Sequence, residues 1–306
     1  MKYSLLFLWS CLGCSWSLWA QEPSVAADQM TMTEAVVLGV VEGVTEYLPV
    51  SSTGHLILAS QAMGMGADPT YRKSVNAYLV VIQLGAILAV MTVYGEYIKK
   101  MFLGLLNKNA EGKKLVCNLL IAFLPAAVAG LLLDEFISKV LYGLWYVVGA
   151  WLLGGLALLK WNGEEKENAT ECARLEELSL KKSFVIGSMQ VIAMWPGVSR
   201  SLVTIIGGRW VGLSLRDSVV FSFLLGMITL TAATFYKLLQ SGTEMVDSLG
   251  LKTILIGIVI AYFSAWIAVK TMVAYLKKHG LGLFGIYRIA LALVTAFLLT
   301  KGLLNA

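Results

Sequence analysis

Charge is scarce in this chain. Asp, Glu, Lys and Arg make up 14% of its 306 residues, against about a quarter in soluble domains. That shortage, with 58% hydrophobic residues and a mean hydropathy of +0.76, excludes an ordinary soluble protein. Histidine occurs only at His55 and His279. Cysteine occurs four times, with Cys11 and Cys14 near the start, Cys117 in an apolar run and Cys172 in a charged stretch. Those spacings give neither a disulfide framework nor a zinc site. Short alternating strands are lacking, which excludes a membrane β-barrel. The net charge of +5 is spread over loops, so no nucleic acid is expected as a partner.

What is present is long apolar helix. Runs near the ~20 residues that cross a bilayer lie at about 75–95, 115–133, 140–159, 218–236, 253–269 and 284–300, predicting six full spans. Two further apolar regions, about 35–63 and 184–212, are broken in the middle. Pro49 with Ser51-Ser-Thr-Gly54 breaks the first, and Pro196-Gly197 with Ser199-Arg-Ser201 breaks the second. Each half is too short to span, and broken helices at membrane depth are tolerated where they line a cavity. The expected fold is an all-α polytopic membrane protein with six transmembrane helices and two re-entrant helix–loop–helix hairpins.

The charges agree with that layout. With the N-terminus outside, the inner loops at 96–114, 160–183, 205–217 and 270–283 hold fifteen Lys and Arg, and the outer segments hold six. This is the positive-inside bias, and full spanning by either broken region would erase it. Residues 1–20 read as a signal peptide, with one lysine, a short apolar core and Ser17-Leu-Trp-Ala20 as the cleavage site. Residues 21–33 read as a polar outer segment, and 34–306 as one membrane domain.

A weak internal repeat divides that domain into halves of about 34–160 and 183–306. Gly39-Val-Val-Glu42 resembles Gly187-Ser-Met-Gln190, and each is followed nine residues after its last member by Ser51 or Ser199. Each broken region precedes three spans, an odd number, so the halves are inverted. Inverted repeats with broken helices suit transporters, and a transporter or flippase for a lipid phosphate or small anion is the competing reading.

The polar residues concentrate at the breaks. Glu42 and Glu46 are four apart and share a helix face, and two such carboxylates can hold Mg²⁺ or Ca²⁺. Pro49 stops that helix. Ser51, Ser52 and Thr53 are N-caps for a helix opening at Gly54, where backbone N–H groups make an anion site. Arg200 is permanently charged and suited to a bidentate grip on phosphate. Ser199, Ser201 and Thr204 extend that second anion site. Hairpins entering from opposite sides can join Glu42, Glu46, Ser52 and His55 to Arg200. Each residue also has a plainer reading. The carboxylates can pair structurally with Arg200, the hydroxyls can be caps only, and His55 can be packing. Gln83 can line a cavity or bond a neighbouring helix. Arg288, near the inner end of the last span, reads as snorkelling or paired, and the Gly-Gly pairs at 154–155 and 207–208 as close helix packing.

With these residues assembled, the chain resembles the undecaprenyl-diphosphate phosphatase family, also called bacitracin-resistance proteins, from about residue 34 to its end. The resemblance lies in Glu42-Gly-Val-Thr-Glu-Tyr-Leu-Pro-Val-Ser-Ser-Thr-Gly-His55, in Val81-Ile-Gln-Leu-Gly-Ala-Ile-Leu-Ala-Val90, and in Pro196-Gly-Val-Ser-Arg-Ser201 with Thr204. It implies a multi-pass enzyme of the bacterial inner membrane, open to the periplasmic side. The enzyme would convert undecaprenyl diphosphate to undecaprenyl phosphate for cell-wall lipid recycling, with a divalent cation (Mg²⁺ or Ca²⁺). A homodimer is compatible with it. The family's carboxylates fall on Glu42 and Glu46 (metal), with Glu46, Ser52, His55 and Arg200 catalytic. Ser51, Thr53, Ser199, Ser201 and Thr204 would bind substrate. Ser52 or His55 is the nucleophile, with Ser52 preferred and His55 as its acid/base partner. Leu202 stands where the family motif has glycine, and a bulky side chain there is expected to crowd the anion site.

Overall fold

A computed structural model describes residues 30–65, 68–164 and 174–304. The expected signal peptide and residues 21–29 of the outer segment fall outside those residues. Among the described residues the chain is helical: α1 (Met32–Thr45), α2 (Ser52–Ala62), α3 (Pro69–Val81), α4 (Gln83–Val93), α5 (Gly95–Leu105), α6 (Ala110–Phe136), α7 (Leu144–Glu164), α8 (Leu180–Gln190), α9 (Arg200–Trp210), α10 (Leu215–Leu249), α11 (Leu251–His279) and α12 (Gly282–Thr300). α1 starts at a capping box, in which Thr31 Oγ1 accepts from the Glu34 N–H and Glu34 accepts from the Thr31 N–H.

Six stretches are long and apolar enough to cross a membrane: Tyr71–Val93, Ala110–Leu133, Leu144–Trp161, Leu215–Leu249, Leu251–Leu276 and Gly282–Thr300. They coincide with the six expected spans, and the protein is a multi-pass membrane protein. Their outer faces carry exposed Leu132, Phe235 and Leu293, apolar surface that suits lipid contact. α10 runs well past the expected end at 236. Its last turns carry charge on one face, which lowers the hydropathy, while Met245 and Leu249 pack with Leu38 and Tyr78.

The broken regions are hairpins, α1 on α2 and α8 on α9, and the two halves of the chain are crossed. α1 lies along α11 of the second half, and α8 lies along α6 of the first. Both contacts need glycine. A Cβ on Gly43 would sit 2.4 Å from the Ala261 carbonyl oxygen, and one on Gly187 would sit 2.1 Å from that of Ala122. The third spans of each half, α7 and α12, meet with Gly155 against Gly285. Gly43→Val is therefore expected to destabilise the protein by at least about 1–3 kcal/mol, the usual range for overpacking. Thermal unfolding in detergent reads this, and an unchanged midpoint would contradict the close α1–α11 contact.

One expectation is overturned. Arg288 does not snorkel to the inner surface. It is seven residues into α12, fully buried, and bonded to backbone carbonyls rather than to a carboxylate among the described residues.

Candidate active site

The two hairpins bring their loops together at a cavity of about 250 Å³. The first loop contributes Glu46, Ser51, Ser52 and Thr53 to its wall, and the second contributes Pro196, Gly197, Ser199 and Arg200. Gln83, Gln190 and Thr229 add polar groups, and the remainder is apolar, including Val80, Ala126, Met194 and Ala233.

A hydrogen-bonded chain crosses the cavity wall. The Ser52 hydroxyl donates to Glu46 Oε2 in a short contact. Glu46 Oε1 accepts from Arg200 Nη2 at 2.8 Å. Arg200 Nη1 donates to the Ser222 carbonyl at 2.9 Å, while Nε has no partner among the described residues. The ion pair is nearly dry, with side-chain exposures of 10% for Arg200 and 5% for Glu46. Such a pair adds little net stability but is costly to break on one side. The guanidinium lies 5.2 Å from the Tyr47 ring centroid. It owes its space to Gly226 on α10, where a Cβ would come within 2.0 Å of Nη1.

Both loops turn on a serine in a backbone conformation that L-residues avoid. Ser51 has φ 73° and ψ 97°, and Ser199 has φ 79° and ψ 114°. Each costs about 1–3 kcal/mol unless its surroundings fix it. Each serine caps the helix it opens, accepting from the Gly54 N–H at 3.4 Å and from the Leu202 N–H at 3.3 Å. The earliest N–H groups of α2 and α9 have no intrahelical acceptor. Two helix starts bordering one cavity with an arginine favour an anion.

Other predicted site residues lie elsewhere. His55 is outside the cavity wall. Its Nδ1 lies 2.6 Å from the Ser51 carbonyl, which can only accept, so Nδ1 carries the proton. In the neutral ring Nε2 then accepts from the Tyr287 hydroxyl at 2.8 Å. The ring packs between Trp151 and Tyr287. Ser201 Oγ donates to the Leu48 carbonyl at 3.0 Å and ties one loop to the other. Thr204 is fully buried behind Arg200, bonded to the Arg200 carbonyl at 2.8 Å and to Ser222 Oγ at 2.6 Å. Leu202 does not crowd the cavity, because its side chain packs into a core with Tyr47, Val50 and Phe223.

Sequence reasoning missed Trp151 and Tyr287. The Trp151 indole donates to the Val50 carbonyl at 3.1 Å, directly before the Ser51 cap. An aromatic residue in an apolar span gives no local sequence signal.

A divalent cation is compatible with the residues present. Glu42 is one turn before Glu46, the residue that caps the end of α1; it is fully buried and outside the cavity wall, and neither of its oxygens has a hydrogen-bond partner among the described residues. A buried carboxylate in that state requires a cation or a proton. Two carboxylates alone make a sparse ligand set, with no group of three or more His, Cys, Asp or Glu among the described residues. That suits a hard ion that keeps water and substrate oxygens as its other ligands.

Comparison with known proteins gives a consistent match. The family model described as bacitracin resistance protein BacA covers residues 35–294. An undecaprenyl-diphosphatase of Sorangium cellulosum is 38% identical over 267 residues, spanning 87% of this chain and 85% of the relative. Undecaprenyl-diphosphatase 1 of Chromobacterium violaceum is 38% identical over 272 residues, spanning 89% and 97%. Undecaprenyl-diphosphatase 2 of Rhodospirillum rubrum is 38% identical over 279 residues, spanning 91% and 98%.

Proposed function

This chain belongs to the bacitracin resistance protein family, and from that premise we propose that it is an undecaprenyl-diphosphatase whose reaction runs at the cavity between the two hairpin loops. The observation that carries the site assignment is the bonded chain Ser52–Glu46–Arg200 on the cavity wall.

In this reading the isoprenoid tail stays among the lipids and the diphosphate enters the cavity. Ser52 Oγ attacks the terminal phosphorus and passes its proton to Glu46 Oε2. The bond from that phosphorus to the bridging oxygen breaks, and its electron pair leaves with undecaprenyl phosphate. Glu46 gives that proton to the departing oxygen and is again a base; water then attacks the phosphoserine and loses one proton to Glu46, the bond from phosphorus to Oγ breaks with its electron pair on Oγ, and Glu46 returns the proton there as phosphate departs. Arg200 and the N–H groups at the starts of α2 and α9 bind the non-bridging oxygens, where charge builds up. His55, bonded to Tyr287 and to the Ser51 backbone, orients the loop instead of exchanging protons with Ser52. Glu42 and Glu46 would hold the divalent cation, which when bound offsets phosphate charge.

Charge and geometry together support a site open to the periplasmic side of the inner membrane. With the lysine-rich and arginine-rich loops inside, Ala126 on α6 and Thr229 and Ala233 on α10 fall in the middle or outer part of their helices, and all three border the cavity.

The test is phosphate release from undecaprenyl diphosphate by the purified full chain in detergent, with and without EDTA. Release that falls on chelation and returns with Mg²⁺ or Ca²⁺ is expected. Substrate crossing sealed vesicles without hydrolysis would favour the transporter reading instead. The cation assignment has a check that needs no turnover. Mg²⁺ or Ca²⁺ is expected to raise the unfolding temperature of the wild type, and Glu42→Gln to remove that response. An equal response in both proteins would take Glu42 out of the metal site.

A further inference from the structure

Arg288 is among the largest fully buried side chains in the protein, and no carboxylate among the described residues pairs with it. A buried guanidinium without a counter-ion must be satisfied by dipoles. Here every nitrogen donates to backbone. Nη1 reaches the Pro49 carbonyl at 3.2 Å and the Val198 carbonyl at 3.1 Å. Nη2 reaches Gly197 at 2.8 Å and Ala150 at 2.9 Å, and Nε reaches Trp151 at 3.4 Å. One side chain thus grips the first loop, the second loop and α7 together. Its space is reserved, since a Cβ on Gly154 would lie 2.2 Å from Nη2.

The gripped carbonyls are those that set the two strained caps. Pro49 and Val50 precede Ser51, and their oxygens are held by Arg288 and Trp151. The Ser51 oxygen itself is held by His55. Gly197 and Val198 precede Ser199, and Arg288 holds both. In a trans peptide the N–H points opposite to the C=O. Holding the Val50 and Val198 oxygens therefore turns the Ser51 and Ser199 N–H groups away from the clamp, and both serines border the cavity. Arg288 does not border it. A strained backbone persists only where its neighbours over-determine it, and these side chains supply that constraint.

We infer that Arg288 is a positioning residue that locks both hairpin loops into a single anion site, with Trp151 and His55 completing the lock on the first loop only. This rests on the phosphatase reading for its catalytic consequence. The lock itself is a statement about two loops some 150 residues apart in the chain and is tested without turnover.

Arg288→Lys keeps the charge but cannot serve five carbonyl contacts, and Trp151→Phe removes the one indole donor. Amide hydrogen exchange of peptides covering 46–55 and 195–203 is followed in detergent for the wild type and both variants, beside steady-state phosphate release. In Arg288→Lys both loop peptides are expected to lose protection together. kcat should fall about 10–100-fold with KM changed little, the scale of a small misplacement of catalytic groups. Trp151→Phe should open the first loop alone. If Arg288→Lys does not fold, Gly154→Ala displaces the guanidinium without removing it and carries the same paired expectation. Wild-type protection in both loops, or loosening of only one in the arginine variant, overturns the inference. Paired loosening in a protein whose wild type releases no phosphate leaves the lock standing and sinks the phosphatase reading instead.

Discussion

Arg200→Ala is expected to lower phosphate release by about 10³-fold or more, the range seen when an arginine that stabilises a phosphoryl-transfer transition state is removed. Three features of its setting make the effect large. The guanidinium is held by Glu46 and by the Ser222 carbonyl, so it does not have to be ordered when substrate arrives. Its Nε has no hydrogen-bond partner among the described residues, leaving one donor of the fork unspent. The pair is almost dry, so its field is weakly screened. Alanine also strands the Glu46 carboxylate, a loss of about 3–5 kcal/mol for a broken buried pair. Reduced folding could then imitate reduced catalysis. Arg200→Lys separates the two, because it keeps a cation beside Glu46 and loses the planar fork. A fall of about 10²-fold with an intact unfolding midpoint is expected. Gly226→Ala should act in the same direction, since its methyl would occupy the place of Nη1 while leaving the arginine in the chain. Activity within threefold of wild type in Arg200→Lys, measured as phosphate release by folded protein, would remove Arg200 from the transition state.

How much of this was legible in the sequence depended on contrast. Glu42, Glu46, Ser51, Ser52 and Arg200 stood out because their surroundings are apolar, and a polar group there needs a reason. The six spans were legible because length and hydropathy fix them with no reference to partners. The breaks at Pro49 and Pro196 were legible from backbone chemistry. What failed to show was anything set by which carbonyl a side chain reaches. Arg288 reads in the sequence as snorkelling or paired because it lies near the inner end of the last span. The crossed packing of the halves draws it inward, where the two loops offer unpaired oxygens. His55 lies three residues after Ser52, and that closeness suggested a proton partner. On α2 its ring instead reaches back to the Ser51 carbonyl and across to Tyr287. Leu202 was read by volume alone, although its position on α9 turns it into the core.

Ser52→Ala is expected to lower phosphate release by about 10³–10⁶-fold, reaching the scale lost when a nucleophilic serine is removed elsewhere. The variant removes one hydroxyl and leaves the Glu46–Arg200 pair, the Ser51 cap and the α2 start in place, so folding should survive. The alternative role for Ser52 is only to hold Glu46 in position, with Glu46 activating water for direct attack. The two roles differ in size and in intermediate. An orienting hydrogen bond to a carboxylate contributes about 1.5–3 kcal/mol, which is about 10- to 100-fold in rate. A nucleophile forms a phosphoseryl enzyme, which rapid acid quenching and mass spectrometry of the peptide containing Ser52 would detect in wild type and miss in Ser52→Ala. Glu46→Gln should slow formation of that adduct, because the base for Ser52 is then neutral. A large loss without any adduct would convict Glu46 and water. A loss of about a hundredfold or less, without any adduct, would reduce Ser52 to a positioning group and shift the search for the nucleophile to a water activated by Glu46.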